Sequence, residues 1–484
     1  MLDCVCSCRV GPLTHCENAN DPRVGQAACL SQVRPIQQRV VASAESGSRG
    51  VTGADSFGHS VIRHTLFMSD VPSQRSLSAG SDHENPGGFS HIAALDGIRG
   101  VAILLVLVDH LFWSNDHTGS RFLDALSAIR SSSYVGVNLF FALSGFLITG
   151  ILLDTLHLPH FFRTFYARRG LRIFPLYYGF LVFLLLLTRP MHFVWSGWQY
   201  YYLTYTANLV VRGAYAPLYL SYFNINHFWS LQVEEQFYLF WPLVLYRFRR
   251  LETVLRISLV SCAVILGIRI FLIAMRKHPA FTSVYLPYGP TYSSADNILY
   301  GCALCVALRT RWREAVLSLA PHVLAASATV LLIAGILNHG LYWANDDYLP
   351  TRLFIPTLGF SLVGISCAAV IAMTLQAGSR TQLLFQNRIL RFFGKYSYGI
   401  YVFHFSVFGG LSASLRFLLN SHLHSKTASV LIDGIVTGAL TVAVALVSYH
   451  LIEVRFLRMK RFFGYNRTAI ATSSPGISRF SKGE

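Results

Sequence analysis

Charge is what this sequence has least of. Asp, Glu, Lys and Arg together make up 13% of its 484 residues, against roughly 25% in soluble domains. Hydrophobic residues account for 53% and aromatics for 14%, and the mean hydropathy is +0.44. Long apolar runs at that composition exclude an ordinary soluble domain and read as a polytopic membrane protein. Acids are the scarcer sign, 23 against 40 Lys and Arg, for a net charge of +17. Because the excess Arg falls largely at the ends of apolar runs, a positive-inside membrane topology accounts for much of it, and no nucleic acid is expected as a partner. An apolar core of the kind that marks a cleavable secretory signal is also missing near Met1, so no such signal is expected.

The nine cysteines do not suggest a metal centre. Cys4, Cys6, Cys8, Cys16 and Cys29 crowd the N-terminal tail, and their alternating spacing is too tight for paired zinc ligands. Cys262, Cys302, Cys305 and Cys367 lie in apolar runs, where Cys302 and Cys305 read as small buried hydrophobes rather than a redox pair. Neither a metal nor a permanently bound cofactor is expected.

Residues 1–91 are rich in Ser, Gly, Arg and Gln and have no apolar period, which predicts a disordered tail. Met68 opens a polar lead-in of the length typical before a first membrane helix, which raises the expectation that residues 1–67 are an upstream extension. Residues 92–456 predict an all-α polytopic membrane helix bundle, and 457–484 a short basic cytoplasmic tail. About ten spans are legible, near 95–113, 134–153, 173–188, 227–246, 257–275, 297–309, 317–337, 353–375, 396–411 and 429–451. Basic residues gather after every second span: Arg163, Arg168, Arg169 and Arg172; Arg247, Arg249, Arg250 and Arg256; Arg309, Arg311 and Arg313; Arg380, Arg388, Arg391 and Lys395; and Arg455, Arg458, Lys460 and Arg461 at the end. The opposite loops carry aromatics and acids, as in LYWANDDY at 341–348. Both termini are therefore expected in the cytoplasm.

The first span, LDGIRGVAILLVLVDHLFW (95–113), spends hydrophobicity on Asp96, Arg99, Asp109 and His110. An ionisable group near a membrane centre costs roughly 2.5–3.5 kcal/mol on insertion scales, so such groups usually face a protein interior or a wet cavity. Arg99 and His110 fall about 20° apart around a helix and ~16 Å apart along it, which places them on one face. An ordinary i,i+3 pair of Asp96 and Arg99 at the membrane edge would suit the same residues.

Three further stretches carry polar groups. In FYARRGLRIFPLYY (165–178), Arg168, Arg169 and Arg172 form a guanidinium patch matched to phosphate oxygens or lipid head groups, with Pro175 expected in the first turn of the next span. HFWSLQVEEQFYLFWPLVL (227–245) sets Glu234 and Glu235 about two turns inside its span, with Glu234 expected at the depth of His110, where a carboxylate would support an imidazole as general base. In KYSYGIYVFHF (395–405) His404 sits mid-span as a core histidine or a site residue. Asp296 and Glu453 read as helix-end pairs.

Taken in order, LDGIRG…VDH (95–110), GVNLFFALSGFLITG (136–150), the 165–178 and 228–242 stretches and YSYGIYVFH (396–404) resemble the integral-membrane acyltransferase family known as acyltransferase three. The resemblance covers about residues 92–456. It departs from the family pattern at Asn138, where members commonly have Asp, and at Ser294, where Arg is frequent. It implies a ten-helix domain that takes an acyl group, usually acetyl, from cytoplasmic acyl-CoA as co-substrate to a carbohydrate or lipid-linked sugar hydroxyl at the outer face, here of a bacterial inner membrane. The implied donor-binding residues are Arg99, Arg168, Arg169 and Arg172. The implied catalytic pair is His110 and Glu234, with His110 oriented by Glu234 or Asp109, and Trp229, Ser230 and His404 are expected at the substrate, among membrane lipids. The rival reading is a secondary transporter that uses the same buried Asp, Arg, His and Glu; no similarity between the two halves of the chain supports it.

Overall fold

In a bilayer a backbone must satisfy its own polar groups, and a run of about 20 apolar residues does so by winding into a helix. The computed structural model describes residues 92–112, 132–190, 199–210, 225–275, 289–337, 353–423 and 425–464. Each of the ten apolar runs lies on a helix, and no strand occurs among the described residues. In chain order these are α1 (Ala93–Leu111), α2 (Val135–Thr155), α3 (Phe161–Leu186), α4 (Trp229–Arg247) and α5 (Leu251–Met275). After them come α6 (Asp296–Ala307), α7 (Arg313–Leu337), α8 (Phe360–Thr374), α9 (Arg388–Leu423) and α10 (Lys426–Ser448). The π-helical turn Ile355–Gly359 leads into α8, and a second, Tyr449–Glu453, carries α10 on into the short helix Val454–Met459. The predicted tail over 1–91 and the loop 341–348 lie outside the described residues.

Among the described residues, seven helices are long and apolar enough to cross a membrane, counting α8 and α10 with their adjoining turns. This is an integral membrane bundle. The three left out are α1, α4 and the 12-residue α6. Two of those, α1 and α4, carry Asp96, Arg99, His110, Glu234 and Glu235, so the polar residues themselves lower the hydropathy of the helices that bear them.

The bundle is layered by burial. Of the most apolar windows, 67% of that in α2 is buried inside the protein but only 17% of that in α7. The central helix α1 packs chiefly on α9 and α2, α2 on α6, and α9 on α10. Small residues permit these approaches. A Cβ at Gly100 would collide with the Leu390 carbonyl, and one at Gly394 with the Asp96 carbonyl, so the glycines of LDGIRG and its partner helix let two backbones touch.

Two boundaries differ from expectation. The sequence places the start of the third span at 173, with Pro175 in its first turn. Helix α3 instead begins at Phe161, behind His160 in the left-handed region at φ 58°, and Pro175 lies inside it. Neighbouring helices and local adjustments accommodate such prolines in membranes, and the arginine patch thereby becomes part of the helix that spans. The ninth run, expected to be short, is the 36-residue α9. At 1.5 Å per residue it reaches ~54 Å, well past the ~30 Å hydrocarbon.

The buried polar network also departs from expectation. Asp296 opens α6 and is paired, as the helix-end reading has it, but the pair is fully buried: the carboxylate takes both arms of Arg269, at 2.9 and 2.8 Å. Arg269 also donates to the Ser293 carbonyl at 3.0 Å and to Ser361 Oγ. Asp296 further accepts Asn297 and Ser361, and Asn138 donates to Asn297 at 3.2 Å. The ion pair thus ties α5, α6 and α8, and Asn297 extends the network to α2. Glu453, expected beside Arg455, is instead turned inward by the π-helical turn, with Oε1 buried against the Gly399 position and within electrostatic range of Arg172.

Candidate active site

The polar residues of α1, α2, α3, α4 and α9 form two groups along the bundle, one at each end of α1. At its C-terminal end stands His110. Its Nδ1–H donates to the Val106 carbonyl, one turn back, at 2.9 Å. A carbonyl can only accept, so the Nδ1 proton is fixed by that bond and the Nε2 lone pair is left available. The ring meets His404 edge-on with centroids 4.9 Å apart, and Phe405 likewise at 4.9 Å. His404, fully buried, repeats the device: its Nδ1–H donates to the Tyr401 carbonyl at 2.7 Å.

A third histidine, unselected from the sequence, completes this group. His227 lies in the 3-10 turn that precedes α4, its ring centroid 4.7 Å from that of His404. Its backbone carbonyl accepts Tyr401 Oη at 2.8 Å, and the Ser230 hydroxyl, 3.3 Å from the same carbonyl, donates to Tyr401 Oη at 2.6 Å. Ser230, expected at the substrate, therefore sits in the clamp that joins the start of α4 to α9. Trp229 packs edge-on to Phe141, centroids 6.0 Å apart.

Glu234 is not where the sequence suggested. It lies seven residues beyond His227, about two turns or ~10 Å along α4, so His227 rather than Glu234 has the depth of His110. The carboxylate accepts Ser144 Oγ at 2.8 Å and Tyr238 Oη at 3.1 Å. His110 is oriented by the Val106 carbonyl instead. The expected match in depth fails because α1 ends at Leu111, which leaves His110 at the helix end, level with the turn before α4, while Glu234 lies five residues inside α4.

Around the N-terminal end of α1 the second group is cationic. The Arg169 guanidinium lies over the Tyr238 ring, 4.4 Å from its centroid, and so adjoins the Glu234 carboxylate through Tyr238. Arg172 is within electrostatic range of Arg99, Arg169 and Asp96, and Lys460 within range of Arg168, Arg169 and Arg172. Arg99 pairs with Asp96 at 2.6 Å, as the i,i+3 reading allowed. Neither Arg169 nor Arg172 makes an ion pair among the described residues. Arg168 points elsewhere, as its 100° offset from Arg169 requires. It donates to the carbonyls of Lys460 and Phe463, at 3.3 and 3.0 Å, and so closes the end of the C-terminal helical segment.

Chemically, one end of the bundle thus offers a basic imidazole nitrogen among buried histidines, and the other a cluster of guanidiniums in which Arg169 and Arg172 make no ion pair among the described residues, with the carboxyls of Asp96, Glu234 and Glu453 within electrostatic range. Residues 92–450 match the family model described as an acyltransferase domain, which is that of acyltransferase three. The chain belongs to that family. It is similar to YrhL of Bacillus subtilis (strain 168), named provisionally as a peptidoglycan O-acetyltransferase, at 28% identity over 78% of this chain and 56% of YrhL. It is also similar to the peptidoglycan O-acetyltransferase OatA of Listeria monocytogenes, at 28% identity over 66% of this chain and 49% of OatA. The chain spans about half the length of the curated relatives it matches. No solved structure matches it.

Of the residues singled out in the sequence, His110 and His404 stand together, as do Arg99, Arg169 and Arg172. Glu234 lies with the second set through Tyr238, and Arg168 is bound to the chain's own backbone. His227, Tyr401, Ser144 and Tyr238 were missed. His227 opens the same HFWSL stretch that drew attention to Glu234, so its signal was position beside a motif, without a charge to mark it.

Proposed function

We propose that this protein transfers an acyl group, acetyl in the first instance, from acyl-CoA to a hydroxyl of a cell-surface or lipid-linked carbohydrate. The observation that carries the reading is the fixed tautomer of His110: with Nδ1–H held by the Val106 carbonyl, Nε2 is the atom free to take a proton. In the bacterial inner membrane, the arginine end of α1 would face the cytoplasm, where acyl-CoA resides. Arg169, Arg172 and Arg99 hold the donor's phosphates, since guanidinium forks match phosphate oxygens. The extended pantetheine arm runs the ~16 Å from Arg99 to His110.

At that point the acceptor O–H gives its proton to His110 Nε2 as its oxygen bonds to the thioester carbonyl carbon. The tetrahedral adduct collapses with cleavage of the C–S bond, and the departing thiolate takes the proton back from His110. The imidazole ends as it began, and no other co-reactant is consumed. The peptidoglycan O-acetyltransferase names of its relatives support a glycan acceptor. A transporter reading has no such support.

The test is turnover by the purified protein in detergent. Release of free CoA from acetyl-CoA that depends on an added glycan acceptor, with an O-acetyl ester recovered on that acceptor, is the expected result. Gradient-driven uptake of a solute without any CoA release would refute it.

A further inference from the structure

Three ring nitrogens beside His110 are left over from the arrangement above. His227 is 4% exposed and His404 0%. Neither Nδ1 nor Nε2 of His227, nor Nε2 of His404, has a hydrogen-bond partner among the described residues. The backbone of Tyr401 and Val402 runs close to the His227 ring without making a bond of acceptable geometry. Leaving buried polar atoms unpaired is costly, and native interiors avoid it unless water or a ligand completes the set. Packing alone would be served as well by phenylalanine: His227 is stacked on Phe405, with centroids 5.4 Å apart.

The leftover atoms have a definite character. The Nδ1 proton of His404 is committed to Tyr401, so its Nε2 can only accept. Neutral His227 offers one N–H and one lone pair. Together the pair presents two acceptors and one donor, next to the basic nitrogen of His110. Their positions are held from behind, because the Tyr401 hydroxyl, itself bonded to Ser230, donates to the His227 carbonyl while the Tyr401 carbonyl receives the His404 proton. A group with one hydroxyl satisfies at most part of this set. Neighbouring hydroxyls on a sugar ring bring several donors and lone pairs at adjacent positions.

We propose that His227 and His404 form the acceptor subsite, binding the hydroxyls that flank the one presented to His110, and so select a polyol over a simple alcohol. This rests on the acyltransferase reading. The two histidines touch the acceptor but take no part in donor binding, which belongs to the arginines at the other end of α1.

The experiment uses the full-length protein in detergent, with acetyl-CoA as donor and chitotriose, methyl glucoside or cyclohexanol as acceptor, reading CoA release. The variants are His227→Phe, His227→Asn and His404→Phe. His227→Phe should raise the KM for the two sugars at least tenfold and leave the KM for acetyl-CoA within twofold. It should also erase the preference for sugars over cyclohexanol. His227→Asn, which keeps a donor and an acceptor, should recover part of the sugar affinity. A purely structural role predicts the reverse order, with Phe tolerated and Asn not. Should His227→Phe fail to fold, His404→Phe is expected to show the same rise in sugar KM. Wild-type turnover with unchanged sugar KM in the folded variants would overturn the subsite alone. Wild-type protein that releases no CoA with any acceptor would overturn the acyltransferase reading and the subsite with it.

Discussion

The imidazoles of His110 and His404 meet at 69° with their centroids 4.9 Å apart, each donating its Nδ1 proton to a carbonyl of its own helix. Two side chains from α1 and α9 are thereby held in the same tautomer, and the close approach of these helices through Gly100 and Gly394 brings them together. The pairing separates a nitrogen that fixes the ring from one that can act on substrate.

From this follows a sharp expectation for His110→Ala. Removing a general base typically costs 10²–10⁴-fold, so kcat should fall by about that factor. The arginines at the far end of α1 are untouched, and the variant should bind acetyl-CoA as the wild type does. Binding can be followed by equilibrium dialysis with labelled donor. Near-normal turnover by a folded His110→Ala protein would end its role as the base.

The arginines of α3 should divide by direction. Arg169 and Arg172 lack ion-pair partners among the described residues, whereas Arg168 closes the C-terminal segment. A hydrogen bond to a charged group contributes about 1.5–3 kcal/mol, so Arg169→Ala and Arg172→Ala should each raise the KM for acyl-CoA about 10- to 100-fold. Arg168→Ala should leave that KM nearly unchanged and lower the thermal stability of the purified protein. Equal effects of all three on donor KM would count against the division.

The outline of the bundle was legible because membrane helices announce themselves by apolar length, and because arginine marks alternate loops. The site was legible only where charge or a residue type made a position stand out. Arg99 and His110 were found on one helix by counting 100° steps, which needs no knowledge of neighbours. Glu234 was set at the wrong depth, since matching two helices in level requires knowing where each begins and ends; α1 ends at Leu111, one residue past His110, which therefore stands level with the 3-10 turn that holds His227 before α4. Arg269 was invisible for a different reason. Its partner Asp296 lies on another helix, and nothing in an apolar run such as ILGIRIFLIA says which way the guanidinium turns. The same holds for Glu453, redirected by a π-helical turn that no local propensity predicts.

Arg99 calls for a paired test, because its bond to Asp96 at 2.6 Å ties stability to function. Arg99→Ala alone leaves a half-buried carboxylate without this partner and should reduce expression. Combining Arg99→Gln with Asp96→Asn removes both charges and should restore expression. If Arg99 also serves the donor's phosphates, the double variant will still show a raised KM for acyl-CoA. Restored expression with wild-type donor KM would assign Arg99 to stability alone.

The last expectation concerns the Arg269–Asp296 pair, both members of which are fully buried. Breaking a buried pair by removing one partner typically costs about 3–5 kcal/mol, because the other charge is left uncompensated, whereas replacing both can be neutral. Arg269→Met should therefore sharply lower the unfolding temperature in detergent. Arg269→Met with Asp296→Asn should recover most of the loss, because an uncharged amide at that position can still bond Ser361 and Asn297, which already contact the Asp296 side chain. The pair holds α5, α6 and α8 together, and its hydrogen bonds go to none of the histidines or arginines of the site. The double variant should consequently keep the wild-type KM for acyl-CoA and a kcat within a few fold. A double variant as unstable as Arg269→Met would show that the guanidinium's bonds to Ser293 and Ser361, rather than charge balance with Asp296, hold these helices. A stable double variant without turnover would instead place the pair in the chemistry.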